Sequence, residues 1–102
     1  MLKIRNLRNK NKAVANQFIV TDGENGLIYF QSYDRVIVQL DYHRKTCMLS
    51  PKWEKSKTTI KYTCVFFSQI LGIKVDYSDL RKMENMGMFY NTGTKFDDWK
   101  LM

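Results

Sequence analysis

A chain of 102 residues supports one modest core, burying roughly two-thirds of its extended surface, and leaves no room for a two-domain enzyme. Its 44% hydrophobic and 14% aromatic content excludes a disordered chain, and one proline with five glycines excludes a collagen-like or linker composition. The net charge of +7 is unevenly spread.

Residues 1–12 carry Lys3, Arg5, Arg8, Lys10 and Lys12 without an acid, whereas 13–43 are net negative. Residues 44–61 carry Arg44, Lys45, Lys52, Lys55, Lys57 and Lys61 against Glu54 alone, and 62–102 balance. Such segments gather a field that a uniform mixture would cancel, which suits phosphate or an acidic protein surface. No apolar run approaches the ~20 residues of a membrane span, and no signal-peptide core follows the basic start. The expected setting is the cytoplasm, with no membrane partner. Cys47 and Cys64 are read as two reduced thiols, too few for a disulfide scaffold.

In chain order, residues 1–16 form a basic arm, read as an ordered lead-in or short edge strand or as a mobile arm that orders on binding. QFIVT, DGENG and LIYFQS then predict a hairpin, because β-rich runs flank a Gly/Asp/Asn cluster suited to positive φ. A turn at SYD leads into RVIVQLD. A reversal around 42–45 leads to TCMLS, ended by Pro51. Strict alternation places Phe18, Val20, Ile28, Phe30, Val36, Val38 and Leu40 on one sheet face, and Ile19, Tyr29, Gln31, Ile37 and Gln39 on the other.

After the Ser/Thr cluster at 56–59 the period changes. With Thr58 as N-cap, Ile60, Thr63, Cys64, Phe67, Ile70 and Leu71 share a helix face, and Gly72 follows the end. A shorter helix is predicted over 78–86, capped by Ser78 or Asp76 and stopped by Gly87. Residues 91–102 form a docked segment or a loosely packed tail. The predicted fold is therefore α+β, a single domain over 1–102. It has a three- or four-stranded antiparallel sheet, one main helix on one face, and a shorter C-terminal helix.

Little in this plan suggests catalysis. His43, the one histidine, lies in a predicted turn beside Arg44, and two unpaired-spacing cysteines with one histidine do not compose a zinc site. Asp76 and Asp79 read as helix-start acids, and Asp97 and Asp98 as tail acids. Phosphate-binding and nucleophile-elbow motifs are absent from the sequence. The expectation is a non-enzymatic protein with no cofactor and no metal.

Binding residues are better represented. Arg44, Lys45, Lys52, Lys55, Lys57 and Lys61 surround Trp53 and adjoin Tyr62, and aromatics among cations can stack on bases while the charges hold phosphate. The alternative is that Trp53 folds over the core edge with its lysines solvated. Secondary candidates are the basic arm (Lys3, Arg5, Arg8, Lys10, Lys12), Tyr29 and Ile37 on the sheet, and Met86, Met88, Phe89 and Tyr90. Methionine adapts to uneven partner surfaces but also fills uneven cores.

The run FQSYDRVIVQLD, a short strand, and KWEKSKTTIKYTCVFFSQILG resembles a group of small phage and prophage proteins of largely unknown function. The shared pattern falls on Phe30, Gln31, Ser32, Tyr33, Trp53, Ser56, Thr58, Thr59, Tyr62, Leu71 and Gly72, within 17–72. It departs at Ile70, where an aromatic is preferred, and at Lys55, where a tyrosine often stands. The resemblance implies an anti-CRISPR type of counter-defence role, without naming functional residues. The leading expectation is a stoichiometric inhibitor of a host defence protein or ribonucleoprotein complex, such as a CRISPR nuclease. The alternative is a basic accessory or regulatory protein that contacts DNA or RNA directly. A homodimer is compatible with either.

Overall fold

The computed structural model describes residues 2–44, 46–72, 74–86 and 100–101, and among these the side chains up to residue 82. Five strands follow one another as an antiparallel meander: β1 Leu2–Asn9, β2 Lys12–Asp22, β3 Leu27–Ser32, β4 Arg35–Asp41 and β5 Thr46–Leu49. A 3-10 turn, Pro51–Glu54, leads into helix α1, Lys57–Leu71, and then α2, Tyr77–Met86. A two-residue strand β6, Lys100–Leu101, runs parallel to β5 at the sheet margin. The fold is the expected α+β arrangement with more strands than expected.

The additional strand comes from the first sixteen residues. Lys10 and Asn11 both adopt positive φ, 52° and 66°, and join Asn9 to its partner Lys12 by a two-residue turn, the backbone twist that antiparallel hairpins favour. The cations Lys3, Arg5, Arg8, Lys10 and Lys12 are all exposed on this hairpin. Leu7 is fully buried at the point where the β1–β2 register shifts.

Register sets the two sheet faces. Ile19, Phe30, Val38 and Leu49 form one transverse row, all buried, and α1 covers this face. Ile19 therefore belongs to the core, whereas Phe18 and Val20, expected there, point the other way and are only half-buried. A bulge between Phe30 and Gln31 pairs Phe30 with Val38 but Gln31 with Val36, leaving Ile37 as the extra residue. Ile37 is 2% exposed and Val36 47%, the reverse of the expected assignment. One inserted residue flips every side chain beyond it.

Helix α1 starts two residues earlier than expected. Ser56, not Thr58, is the N-cap: its Oγ accepts the Thr59 N–H at 3.1 Å, satisfying a donor that the first helical turn leaves open. Gly72 ends it with φ 68° in the left-handed region, as expected of a residue without Cβ. Phe66 and Phe67 are both fully buried. Phe66 stacks on Phe30, centroids 5.5 Å apart, and meets Phe67 edge-on at 5.8 Å. Two adjacent aromatics thus span the apolar face, where the periodic reading used Phe67 alone. At the helix's far end the Gln69 side-chain amide donates to the Arg8 carbonyl, tying α1 to the first hairpin.

Helix α2 is capped reciprocally by two of the acids. Asp79 N–H donates to Asp76 Oδ1 at 2.9 Å and Asp76 N–H to Asp79 Oδ2 at 3.0 Å, so Asp76 is the cap and Ser78 is not. The expected stop at Gly87, the segment with Met88, Phe89 and Tyr90, and most of the 91–102 tail lie outside the described residues.

Candidate phosphate-binding cleft

The bulge in β4 has a consequence for charge. The two-residue turn Tyr33–Asp34 makes Ser32 and Arg35 direct partners, and Gln17 pairs with Ser32 on the other side. This row shares the helix-facing side of the sheet with Phe30, two residues before Ser32. Without the inserted Ile37, the inward Val38 would place Arg35 on the outer face. With it, Arg35 joins Ser32 beneath the start of α1.

There a cleft of about 330 Å³ is lined by Ser32, Tyr33, Asp34, Arg35, Ile37, Lys52, Lys55, Ser56 and Thr59. Ser32 and Ile37, 4% and 2% exposed, close it at depth. Arg35, Lys52 and Lys55 are exposed around it, against the single acid Asp34. The N-terminus of α1 adds the positive end of its dipole, with no acidic side chain in the first turn to offset it. Lys57 and Thr58, also exposed, begin the helix immediately outside.

Two features of the cleft are locally costly. Tyr33 holds φ 57°, a left-handed conformation unfavourable for a bulky residue, fixed by its N–H donating to Asn16 O at 2.7 Å. The hydroxyl of Ser32 has no hydrogen-bond partner among the described residues, and neither does either end of the Gln17 carboxamide. Buried polar groups are nearly always paired. Here two adjacent ones are not.

The expected basic patch divides into separate parts. Lys52 and Lys55 line the cleft, and Lys57 flanks it. Lys61 is one turn along α1, its ammonium 5.2 Å from the ring centroid of Tyr62, and Tyr62 is half-buried against the core. Arg44 lies at the opposite end of β4, about 20 Å away by the ~3.3 Å rise per strand residue. Its backbone N–H is held by Asp41 Oδ1 at 3.0 Å. Lys45 is outside the described residues. The basic hairpin meets the other end of α1 through Gln69, about 18 Å from Lys57 at ~1.5 Å per helical residue.

Trp53 follows the alternative reading, folded into the core rather than presented to a partner, and Ile37 requires correction as a surface residue. Trp53 is fully buried, because the 3-10 turn carries it under α2, where its ring lies 5.5 Å from that of Tyr77. Ile37 is buried by the bulge. Tyr29 is half-buried on the outer sheet face, in the transverse row Ile4, Val20, Tyr29, Gln39 and Met48. Met86 ends α2. Arg35, Ser32 and Tyr33 were not singled out as binding residues from sequence. The signal was available: an inward Phe30 and a two-residue turn at Tyr33–Asp34 force Ser32 and Arg35 inward together.

His43 lies in the β4–β5 turn, its N–H accepted by Asp41 Oδ1 and its ring against Gly26, where an added Cβ would come within 2.5 Å. Cys47 is buried in β5 and Cys64 half-buried in α1, neither in a disulfide. Burial pushes both thiols upward, and the charges of Asp76 and Asp79 add to the effect at Cys64. Among the described residues no three His, Cys, Asp or Glu side chains converge as metal ligands do. Among the described residues no helix is long and apolar enough to cross a membrane. No protein-family model, curated protein or solved structure matches the chain.

Proposed function

We propose that this chain is a non-enzymatic binding protein of a phage or mobile element that engages nucleic-acid phosphate through the basic face at the start of α1. The observation that carries this reading is the gathering of Arg35, Lys52 and Lys55 around one cleft beside a helix N-terminus. Such positions combine mobile charge with fixed N–H donors. Burial of Trp53 removes that ring as a stacking platform or protein hot spot, so backbone charge contributes most.

A second reading is supported by the resemblance over 17–72: stoichiometric occlusion of a host defence complex, such as a CRISPR nuclease. In that setting the same face meets the guide or target strand inside the complex. Affinity purification from a CRISPR-bearing host lysate, with and without nuclease treatment, separates the two. Recovery of nucleic acid alone supports direct binding, while an identified nuclease subunit that survives digestion supports occlusion. Absence of both overturns the proposal.

A further inference from the structure

We propose that the cleft between the β3–β4 turn and the start of α1 is a binding site for a phosphate monoester. Four features converge on it. Arg35, Lys52 and Lys55 oppose only Asp34 at its wall. The first turn of α1 supplies N–H donors and the positive dipole end, with Ser56 Oγ already engaged by Thr59. Ser32, a 4% exposed residue, lines the cleft, and its buried hydroxyl has no partner among the described residues. Finally, the bulge at Ile37 spends an irregular residue to bring Arg35 onto this side, the re-aiming role bulges serve beside binding sites.

A monoester fits better than the interior of a strand. Ser32 and Ile37 close the cleft at depth, so a group must enter end-on. A terminal phosphate presents three unesterified oxygens, enough to meet the Ser32 hydroxyl, the helix N–H groups and a lysine together. An internal diester presents two and must carry its chain both in and out. The exposed Tyr33 ring, 57% accessible, stands at the rim where a base attached to the phosphate would lie. Two sources share this chemistry: free inorganic phosphate, and the terminal phosphate of a nucleotide or oligonucleotide. The second rests on the nucleic-acid reading above.

The test is an amide-resolved NMR titration of the whole chain at constant ionic strength, with inorganic phosphate as the probe and chloride as the control. Saturable shifts confined to Ser32, Tyr33 and the first turn of α1, with a Kd of about 1 mM, are expected. Ser32→Ala should weaken binding by about tenfold, as expected for losing a hydrogen bond to a charged group, with an unchanged or raised unfolding midpoint because a buried unpartnered hydroxyl is removed. Lys55→Ala should weaken it comparably. Lys10→Ala, the same charge change on the distant hairpin, should change it by less than about twofold.

A 5′-phosphorylated oligonucleotide binding about tenfold tighter than its 5′-hydroxyl counterpart assigns the terminal phosphate as the source. Equal binding of the two, with saturable phosphate shifts, assigns the free ion. Shifts that are linear in phosphate, or spread over every lysine, overturn the cleft site. The same oligonucleotides, still bound with steep salt dependence, would then show that the nucleic-acid reading stands without it.

Discussion

Trp53 and Tyr77 meet with ring centroids 5.5 Å apart and planes inclined by 47°, while the Tyr77 hydroxyl donates to Glu54 Oε2 at 2.8 Å. Glu54 Oε1 accepts from Arg81 Nη1 at 2.9 Å. One carboxylate next to the buried tryptophan thus receives two donors from successive turns of α2, and this is what seats the short helix. Tyr77→Phe removes only the hydroxyl and should cost about 0.5–1 kcal/mol, discounted because the pair is partly exposed. Tyr77→Ala also removes the ring contact and should cost about 1–2 kcal/mol more. Urea unfolding followed by circular dichroism measures both, and equal losses in the two variants would show that the ring contact contributes nothing.

The Phe30–Phe66 stack joins sheet and helix at the centre of the core. Phe66→Ala should cost about 3–5 kcal/mol through lost transfer energy and the remaining cavity, and Phe67→Ala a similar amount. Against the ~5–15 kcal/mol total of a small domain, either variant should unfold at much lower urea. A shift equivalent to less than about 1 kcal/mol in both would contradict the packing of α1 on this face.

Salt should report on the basic face. If nucleic acid is bound through its backbone, log affinity falls linearly with log salt, by about 0.7–0.9 per phosphate neutralised. Replacing Lys52, Lys55 and Lys57 together by Ala should flatten that slope by about two to three units. Filter binding at about 50 and 200 mM salt suffices to measure this. A slope unchanged in the triple variant would move the interface to another surface, with the hairpin of Lys3, Arg5 and Lys10 the next to test.

Both thiols should be unreactive in the folded protein, since burial raises each pKa and holds the neutral form. Iodoacetamide at about pH 8 should label neither until guanidinium unfolds the chain. The sign for stability follows: unfolded thiols ionise near ~8.5, the folded ones later, so the unfolded state binds fewer protons and stability falls as pH rises above that value. Mass spectrometry of labelled protein checks the first statement and urea midpoints at about pH 7 and 9.5 the second.

The exposed Asp22 carboxyl is held below its ordinary range chiefly by the Asn25 side-chain amide, which donates to Oδ2 at 2.7 Å. This contribution is present above the unfolded carboxylate pKa and is lost as pH falls through the depressed folded value. Asn25→Ala should return the Asp22 titration, followed by carboxyl NMR, toward the usual aspartate range.

Strand and helix order were legible because the period of apolar residues changes at the Ser/Thr cluster, and because Gly72 and the DGENG turn punctuate the chain. The first strand was less legible. In 2–9 only Leu7 reaches the core, so the exposed Leu2 and Ile4 carry no burial pattern to read. The cleft was obscured by the bulge. Alternation propagated back from Val38 and Leu40 puts Val36 inward and Arg35 outward, and the conflict with the Tyr33–Asp34 turn becomes visible only when both strands are read together. Trp53 stayed open between core edge and binding surface because proximity in sequence to five lysines says nothing about which way a 3-10 turn rotates its one large apolar residue.

Strand β1 forms one margin of the sheet, and along it Lys3 and Arg5 alternate with the exposed Leu2 and Ile4. An open strand of this kind is a template on which another chain can build, and apolar side chains alone would invite it. When two molecules align their margins antiparallel in the registers that set residue 3 or 5 against itself or against the other, cation is brought against cation. The same lysine and arginine positions that colour the hairpin electrostatically therefore keep individual molecules from fusing into continuous sheets, a safeguard that weakens as ionic strength rises.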